Sequence, residues 1–231
     1  MDIQSLLEYD RNLLLFFNDS NNLFADHWIT ILTSGFTWIP LYISLLLLVV
    51  KNNETVSQIL LIIGCSFLCV LFADGLADYI AKPFVGRWRP CNDPVFSDAV
   101  RVVNGYHGTD YGFFSAHAAN TFSIAVFFCW LVKSRVLSVA LVVWSLANCY
   151  TRVYLGLHYP GDIITGLAWG AVVGTGVYFL YLRIFRKISP KNNFVSSQYT
   201  SSGYSLADVD MVLLVLVLTV LYSIIRALFV F

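Results

Sequence analysis

Six stretches of this chain run for the length of a membrane crossing with almost no charge: residues 28–50, 55–80, 115–132, 136–155, 160–182 and 209–230. A helix rises about 1.5 Å per residue, so about 20 apolar residues match the hydrocarbon thickness of a bilayer. No water reaches backbone N–H and C=O groups in hydrocarbon, and a helix satisfies them internally. The pattern predicts an all-α integral membrane protein, a bundle of about six transmembrane helices in one domain over 1–231. Composition agrees, with 58% of residues hydrophobic and 12% charged, where a soluble domain carries about a quarter charged. A formal net charge of zero leaves no electrostatic footprint for nucleic acid.

Residues 1–27 are acidic and amphipathic around a short LLLFF core, which predicts an interfacial helix rather than a crossing. The first residues lack a basic region, so no cleavable signal peptide is expected. Gly35 and Pro40 mark a kink point in the first span. The five cysteines show neither disulfide nor metal spacing and read as small apolar side chains. A polar linker at 188–207 leads to the additional C-terminal span at 209–230. Lys51, Lys133, Arg135, Arg183, Arg186, Lys187 and Lys191 collect at one set of span ends, which the positive-inside rule makes cytoplasmic. The other side receives both termini, the 82–114 loop and the 156–161 turn.

This threading gathers the unusual polar residues at one membrane face. Lys82 and Arg89 follow the second span, Ser115 and His117 open the third, Arg152 closes the fourth, and His158 and Asp162 open the fifth. Ionisable groups at membrane depth are costly and are functional candidates by default. Asp74, Asp78 and Lys82 share a helix face at i,i+4 spacing, so Asp78 can hold the Lys82 ammonium. Asp74, deeper in the span, reads as a polar contact with a neighbouring helix. Ser115 can cap the third span and leave the Ala116 and His117 amides aimed at an anion. Pro160 suits a first helical position, which places Asp162 in the first turn beside His158. A carboxylate there fixes the imidazole tautomer, frees the other ring nitrogen for attack and stabilises the cation.

Three cations, Lys82, Arg89 and Arg152, then converge on two histidines, an arrangement suited to a dense oxyanion. A metal centre built from His117, His158, Asp162 and Asp78 is the rival reading, opposed by cations that would repel a divalent ion. The 91–113 loop is long enough to act as a lid or headgroup sensor, with Arg101 and His107 as candidate headgroup contacts, although solvation suits both. His107 and His27 lack matching partners in sequence. Gly166, Gly170 and Gly174 form a small-residue stripe suited to helix packing within the chain, with a homodimer seam as the alternative.

Taken together, these residues resemble the type 2 phosphatidic acid phosphatase superfamily, whose signature is K-x6-RP, PSGH and SR-x5-H-x3-D. Lys82, Arg89 and Pro90 match the first part. Arg152, His158 and Asp162 match the third in register, with Thr151 in place of serine. In the second part Ser115 and His117 remain, while Phe114 replaces proline and Ala116 replaces glycine. The resemblance covers the motif core 82–162; the ends match only as generic helices.

The resemblance implies a membrane lipid phosphatase needing no metal or cofactor. In it His158 attacks phosphorus to form a phosphohistidine, supported by Asp162. His117 protonates the leaving group and later activates water. Lys82, Arg89, Arg152, Ser115 and the Ala116 amide hold the phosphoryl oxygens. Asp78 supports Lys82, and Arg87, outside the strict motif, is expected to be a weaker headgroup contact. The implied setting is a bacterial inner membrane with the site on the extracytoplasmic side. Undecaprenyl diphosphate, a lipid A phosphate and phosphatidylglycerophosphate all fit as substrates. Two other classes remain open at this stage: a catalytically silent lipid-headgroup binder, which would not depend on His158, and a metal-dependent membrane hydrolase. A transporter is disfavoured, because the polar groups gather at one face instead of along a path.

Overall fold

The computed structural model describes residues 2–188 and 197–229, and among them every regular element is helical. Only two isolated β-bridges interrupt this, Trp88 with Tyr111 and Tyr199 with Ser205. Helix α1 covers Ile3–Asn18, and α2, Leu23–Thr33, begins at Asn22, whose side chain accepts the Ala25 amide. A 3-10 turn, Gly35–Trp38, joins α2 to α3, Ile39–Lys51. Helix α4, Val56–Gly75, opens on a capping box formed by Thr55 and Gln58. It continues through a π turn, Leu76–Ala81, into α5, Lys82–Val85, and ends at Gly86 with φ 60°. Then come α6, Ala116–Val132, α7, Arg135–Tyr154, α8, Pro160–Ile188, and α9, Leu206–Leu228.

Among the described residues, four helical segments are long and apolar enough to cross a membrane: Val56–Val85, Arg135–Tyr154, Pro160–Ile188 and Leu206–Leu228. The pair α2 and α3, bent by 67°, makes a fifth if it is one span. Helix α6 has 17 residues, about 25 Å of rise against a hydrocarbon core of about 30 Å. The structure therefore supports four to five candidate spans, against the expected six.

Three boundaries also depart from expectation. The first span starts at Leu23 instead of residue 28 and breaks after Thr33. There Thr37 Oγ1 donates to Ile31 O at 2.6 Å and Trp38 Nε1 to Leu32 O at 2.8 Å, satisfying carbonyls that the break sets free. The 1–27 segment, expected as one interfacial helix, divides between α1 and the start of α2. Lys82 does not begin a loop, because the helix runs on past Pro83. Its amide reaches back to Ala77 O in the π pattern, and that wider turn relieves the clash a proline ring makes with the carbonyl four residues earlier. Of the expected linker, residues 189–196, Lys191 among them, lie outside the described residues. The remainder forms a turn with Thr200 N donating to Tyr204 O at 2.8 Å, tied down where Ser202 Oγ donates to Val132 O at 2.7 Å.

The glycine stripe explains how α6 and α8 come together. A Cβ at Gly166, Gly170 or Gly174 would lie 2.6, 2.7 or 2.5 Å from the carbonyl oxygens of Ser115, Ala119 and Ser123 respectively. Only glycine permits so close a backbone approach. All three are buried in this seam, so the stripe serves packing within the chain and is not open to form a homodimer. Helices α4 and α7 flank the seam, burying Cys65, Cys69, Phe127, Phe128 and Trp144 in one core. All five cysteines are free thiols. Helix α9 packs on α2 and α3, pinned by Trp28 Nε1 donating to Ser223 Oγ at 2.9 Å and by an ion pair between Lys51 and Asp208.

Candidate active site

The site forms where α5, α6, α7 and α8 present their ends to the 86–114 loop. Ser115 is fully buried at the N-cap of α6, with its hydroxyl accepting the Ala118 amide at 3.4 Å. Its own amide donates to Asp162 O at 3.2 Å, which ties the start of α6 to the first turn of α8. Arg152 lies in the last turn of α7, and residues 155–159 carry the chain over to Pro160, with Gly156 at φ 68° making the reversal. This crossing holds His158 between the two helices with only 3% of its surface exposed.

Each histidine is engaged by an arginine, and the two arrangements differ. Arg89 Nη1 lies 2.8 Å from His158 Nε2, and Arg152 Nη2 lies 2.9 Å from His117 Nδ1. Arginine only donates, so each contacted ring nitrogen is an acceptor and the proton sits on the other nitrogen. His158 therefore carries its proton on Nδ1 and keeps a lone pair on Nε2. His117 carries its proton on Nε2, which is buried. Asp162 Oδ2 stands 3.7 Å from His158 Nδ1, an electrostatic contact longer than a hydrogen bond. Burial pushes the His158 imidazole down to about 4, with Asp162 opposing that shift and Arg89 adding to it.

The cations are held at fixed posts. Arg89 is buried; its Nη1 also donates to Leu157 O at 3.1 Å, and its amide donates to Asp110 O at 2.9 Å. Lys82 pairs with Asp78 one turn earlier. Asp74, deeper in α4, accepts from Asn120 Nδ2 of α6 at 2.9 Å, the interhelical contact expected of it. Ala116 is nearly buried, in an apolar cluster with Ala73, Ala77, Phe114 and Ala119.

Two arginines sit elsewhere than the sequence suggested. Arg87, expected at a lipid headgroup, turns inward instead: Nη1 donates to Asp162 Oδ1 at 2.8 Å and Nη2 to Asp10 Oδ2 at 2.7 Å. Burial works against its charge, but Asp162 and Asp10 outweigh it and hold the guanidinium pKa above its ordinary value. Arg101 is committed to Asp26 through two 2.8 Å bonds, and it lies over the Tyr154 ring. That pair, with Asn18 Nδ2 donating to Arg101 O at 2.9 Å and Arg101 N donating to Asn18 Oδ1 at 2.7 Å, fastens the 91–113 loop to the helices. Arg101 thus serves as a latch and is not free for a headgroup, while His107 stays exposed at the loop tip.

Sequence reasoning passed over Asp10, Gly108 and Gly112. A Cβ on Gly108 would lie 2.7 Å from Arg89 Nε. One on Gly112 would lie 3.1 Å from Arg89 Cγ and 3.5 Å from both Asp162 Oδ2 and His158 Nδ1. These glycines let the loop close directly over His158 and Arg89. The G-x3-G spacing in the loop was their only signal; Asp10, one of several acidic residues in an amphipathic segment, had none.

A family model described as the PAP2 superfamily matches residues 63–188, more than half the chain. A lipid A 4'-phosphatase of Bacteroides thetaiotaomicron is 39% identical over 180 residues, covering 77% of this chain and 79% of the relative. A protein of the same name from Porphyromonas gingivalis is 35% identical over 182 residues, covering 78% and 76%. An undecaprenyl-diphosphatase of Sulfolobus acidocaldarius is 27% identical, covering 64% of each chain. No solved structure matches.

Proposed function

This chain belongs to the PAP2 superfamily, and from that premise we propose that it removes a phosphate monoester from lipid A, through a phosphohistidine on His158 and without a metal. The lipid A assignment rests on the two relatives that match over three quarters of the chain. One observation carries the chemistry: each imidazole turns a lone pair to an arginine, His158 at Nε2 and His117 at Nδ1, so that when the arginines move onto a phosphate one ring can attack while the other takes and returns a proton. That is the division of labour between a nucleophile and a general acid.

A phosphate entering between them draws Arg89 and Arg152 onto its oxygens, joined by Lys82, the Ser115 hydroxyl and the Ala116 amide. Their departure uncovers His158 Nε2 and frees His117 Nδ1 to take the proton that a monoanionic phosphate brings. Nε2 then bonds to phosphorus as the ester P–O bond breaks, and His117 gives a proton to the leaving oxygen. The phosphorylated imidazole is cationic with its proton on Nδ1, facing Asp162. In the second step His117 takes a proton from water, the resulting oxygen nucleophile attacks phosphorus, and the P–N bond breaks to release inorganic phosphate. The cations around the site would repel a divalent ion, which supports a metal-free reaction. Basic residues at the opposite helix ends, Lys51, Lys133, Arg135 and Arg183, support a site facing away from the cytoplasm.

The test is phosphate release by purified protein in detergent with excess chelator, using lipid A, undecaprenyl diphosphate and phosphatidylglycerophosphate. We expect lipid A to be dephosphorylated fastest, and His158→Ala and His117→Ala to lose activity at least about a thousandfold. Undiminished turnover in His158→Ala refutes the phosphohistidine, and a requirement for added metal refutes the metal-free reading.

A further inference from the structure

The charged groups around Asp162 extend beyond the signature motifs. Asp162 is fully buried; Oδ1 takes Arg87 Nη1, and Oδ2 takes the Tyr159 amide at 3.0 Å while facing His158. The guanidinium of Arg87 lies over the Tyr159 ring, 4.1 Å from its centroid, and its other end is held by Asp10. The second oxygen of Asp10 accepts the Gly161 amide at 2.8 Å, in the first turn of α8. Asp10 comes from α1, outside the residues matched by the family model. Gly161 leaves room for this carboxylate, since a Cβ on it would lie 2.9 Å from Asp10 Oδ2.

We propose that Asp10 and Arg87 are positioning residues that set the charge felt by the His158–Asp162 pair. The inference rests on the reading of His158 as nucleophile. A phosphorylated His158 ring is cationic and is stabilised by negative charge on Asp162. Arg87 alone would lock the orientation of Asp162 but cancel that charge. With Asp10 on its other end, the trio of Asp10, Arg87 and Asp162 keeps one net negative charge, as a lone carboxylate would, in a fixed geometry. The cation–π contact with Tyr159 and the Gly161 amide hold the two outer members in place. The N-terminal helix therefore delivers a carboxylate that acts on His158 through Arg87 and Asp162.

This arrangement predicts opposite effects for the two ends of one ion pair. Asp10→Asn takes the trio to zero net charge, which disfavours a cationic His158. Arg87→Gln takes it to two negative charges, which favours one. The other groups facing His158, namely Arg89 at Nε2, Arg152 and His117 across the site, are the same in every variant. The acid limb of the kcat/KM profile is therefore expected to move to lower pH in Asp10→Asn and to higher pH in Arg87→Gln, each by about half a unit or more. The double variant restores one net negative charge, and its limb is expected to return toward the wild-type position. A purely structural ion pair would lose kcat in all three variants with the limb unmoved, or moved one way, and either result overturns the proposal.

Two further measurements keep the test decisive. Asp10→Glu and Arg87→Lys preserve charge and should keep the limb in place even where kcat falls; a displaced limb in either overturns the assignment. Titration of the His158 ring by NMR in micelles reads the same shifts without turnover, so it holds even if no lipid phosphate proves to be a substrate. A wild-type protein inactive on every lipid phosphate refutes the phosphatase reading, whereas active variants that titrate alike refute only the role of Asp10 and Arg87.

Discussion

Gly108→Ala isolates the placement of Arg89 from its chemistry. The Gly108 backbone lies outside the left-handed region, so alanine brings no backbone strain there. Its methyl would stand 2.7 Å from Arg89 Nε, 2.8 Å from Cδ and 2.9 Å from Cζ, where ordinary contact begins at 3.4 Å. The guanidinium must retreat by roughly half an ångström or more to clear it. Arg89 cannot do so while keeping its bonds to His158 Nε2 and Leu157 O. A misplacement of about 1 Å in an oriented catalytic group costs about a hundredfold. We therefore expect kcat/KM to fall about 10- to 100-fold, or about 1.4 to 2.7 kcal/mol of transition-state stabilisation. Gly108 sits on an exposed loop, so Tm should change by no more than a degree or two. The assay is lipid phosphate release over a substrate series, with thermal unfolding in the same detergent. Unchanged kcat/KM, or a loss of rate fully matched by unfolding, would show that the loop does not set the position of Arg89.

Two other substitutions separate packing from chemistry. Gly170→Ala places a methyl 2.7 Å from the Ala119 carbonyl oxygen; prying the α6–α8 seam apart is expected to destabilise the protein by about 2 kcal/mol or more, read as a lower Tm in detergent, and an unchanged Tm would mean the seam is looser than its geometry. Arg101→Ala leaves Asp26 with Tyr154 as its remaining side-chain partner; a loss of about 2 kcal/mol in stability with KM nearly unchanged is expected, whereas a raised KM at constant stability would make Arg101 a headgroup contact after all.

What could be read from the sequence follows the range of the interactions. His158 and Asp162 are close in sequence and straddle a helix start marked by Pro160, so spacing alone brought them together. Lys82 and Asp78, and Ser115 as a helix cap, obey the same local rules. The approach of Arg89 to His158 and of Arg152 to His117 needed only the alternating direction of successive spans. Asp10 could not be found this way: its partner Gly161 is 151 positions distant, and one carboxylate on an amphipathic helix has no local pattern. Arg87 was misjudged for the same reason, since its place at Asp162 depends on where α1 lies. The break at 34–38 was half legible, because Gly35 flagged a kink but not the Trp38 and Thr37 bonds that cap it. The helix running on through Pro83 broke a reliable rule by means of a π turn, which leaves no signature in composition.

Helix α6 is short, and that has a consequence for how substrate arrives. Were its C-terminal end, where Lys133 and Ser134 turn the chain, to lie at one hydrocarbon boundary, a rise of about 25 Å would leave its N-terminus about 5 Å short of the other. Ser115 and His117 would then start from that depth. A lipid phosphate then needs to sink only slightly beneath its neighbours, without lifting its acyl chains into water. Turnover should accordingly depend on bilayer thickness, with thinner membranes bringing the phosphate plane down to the histidines and thicker ones holding it out of reach.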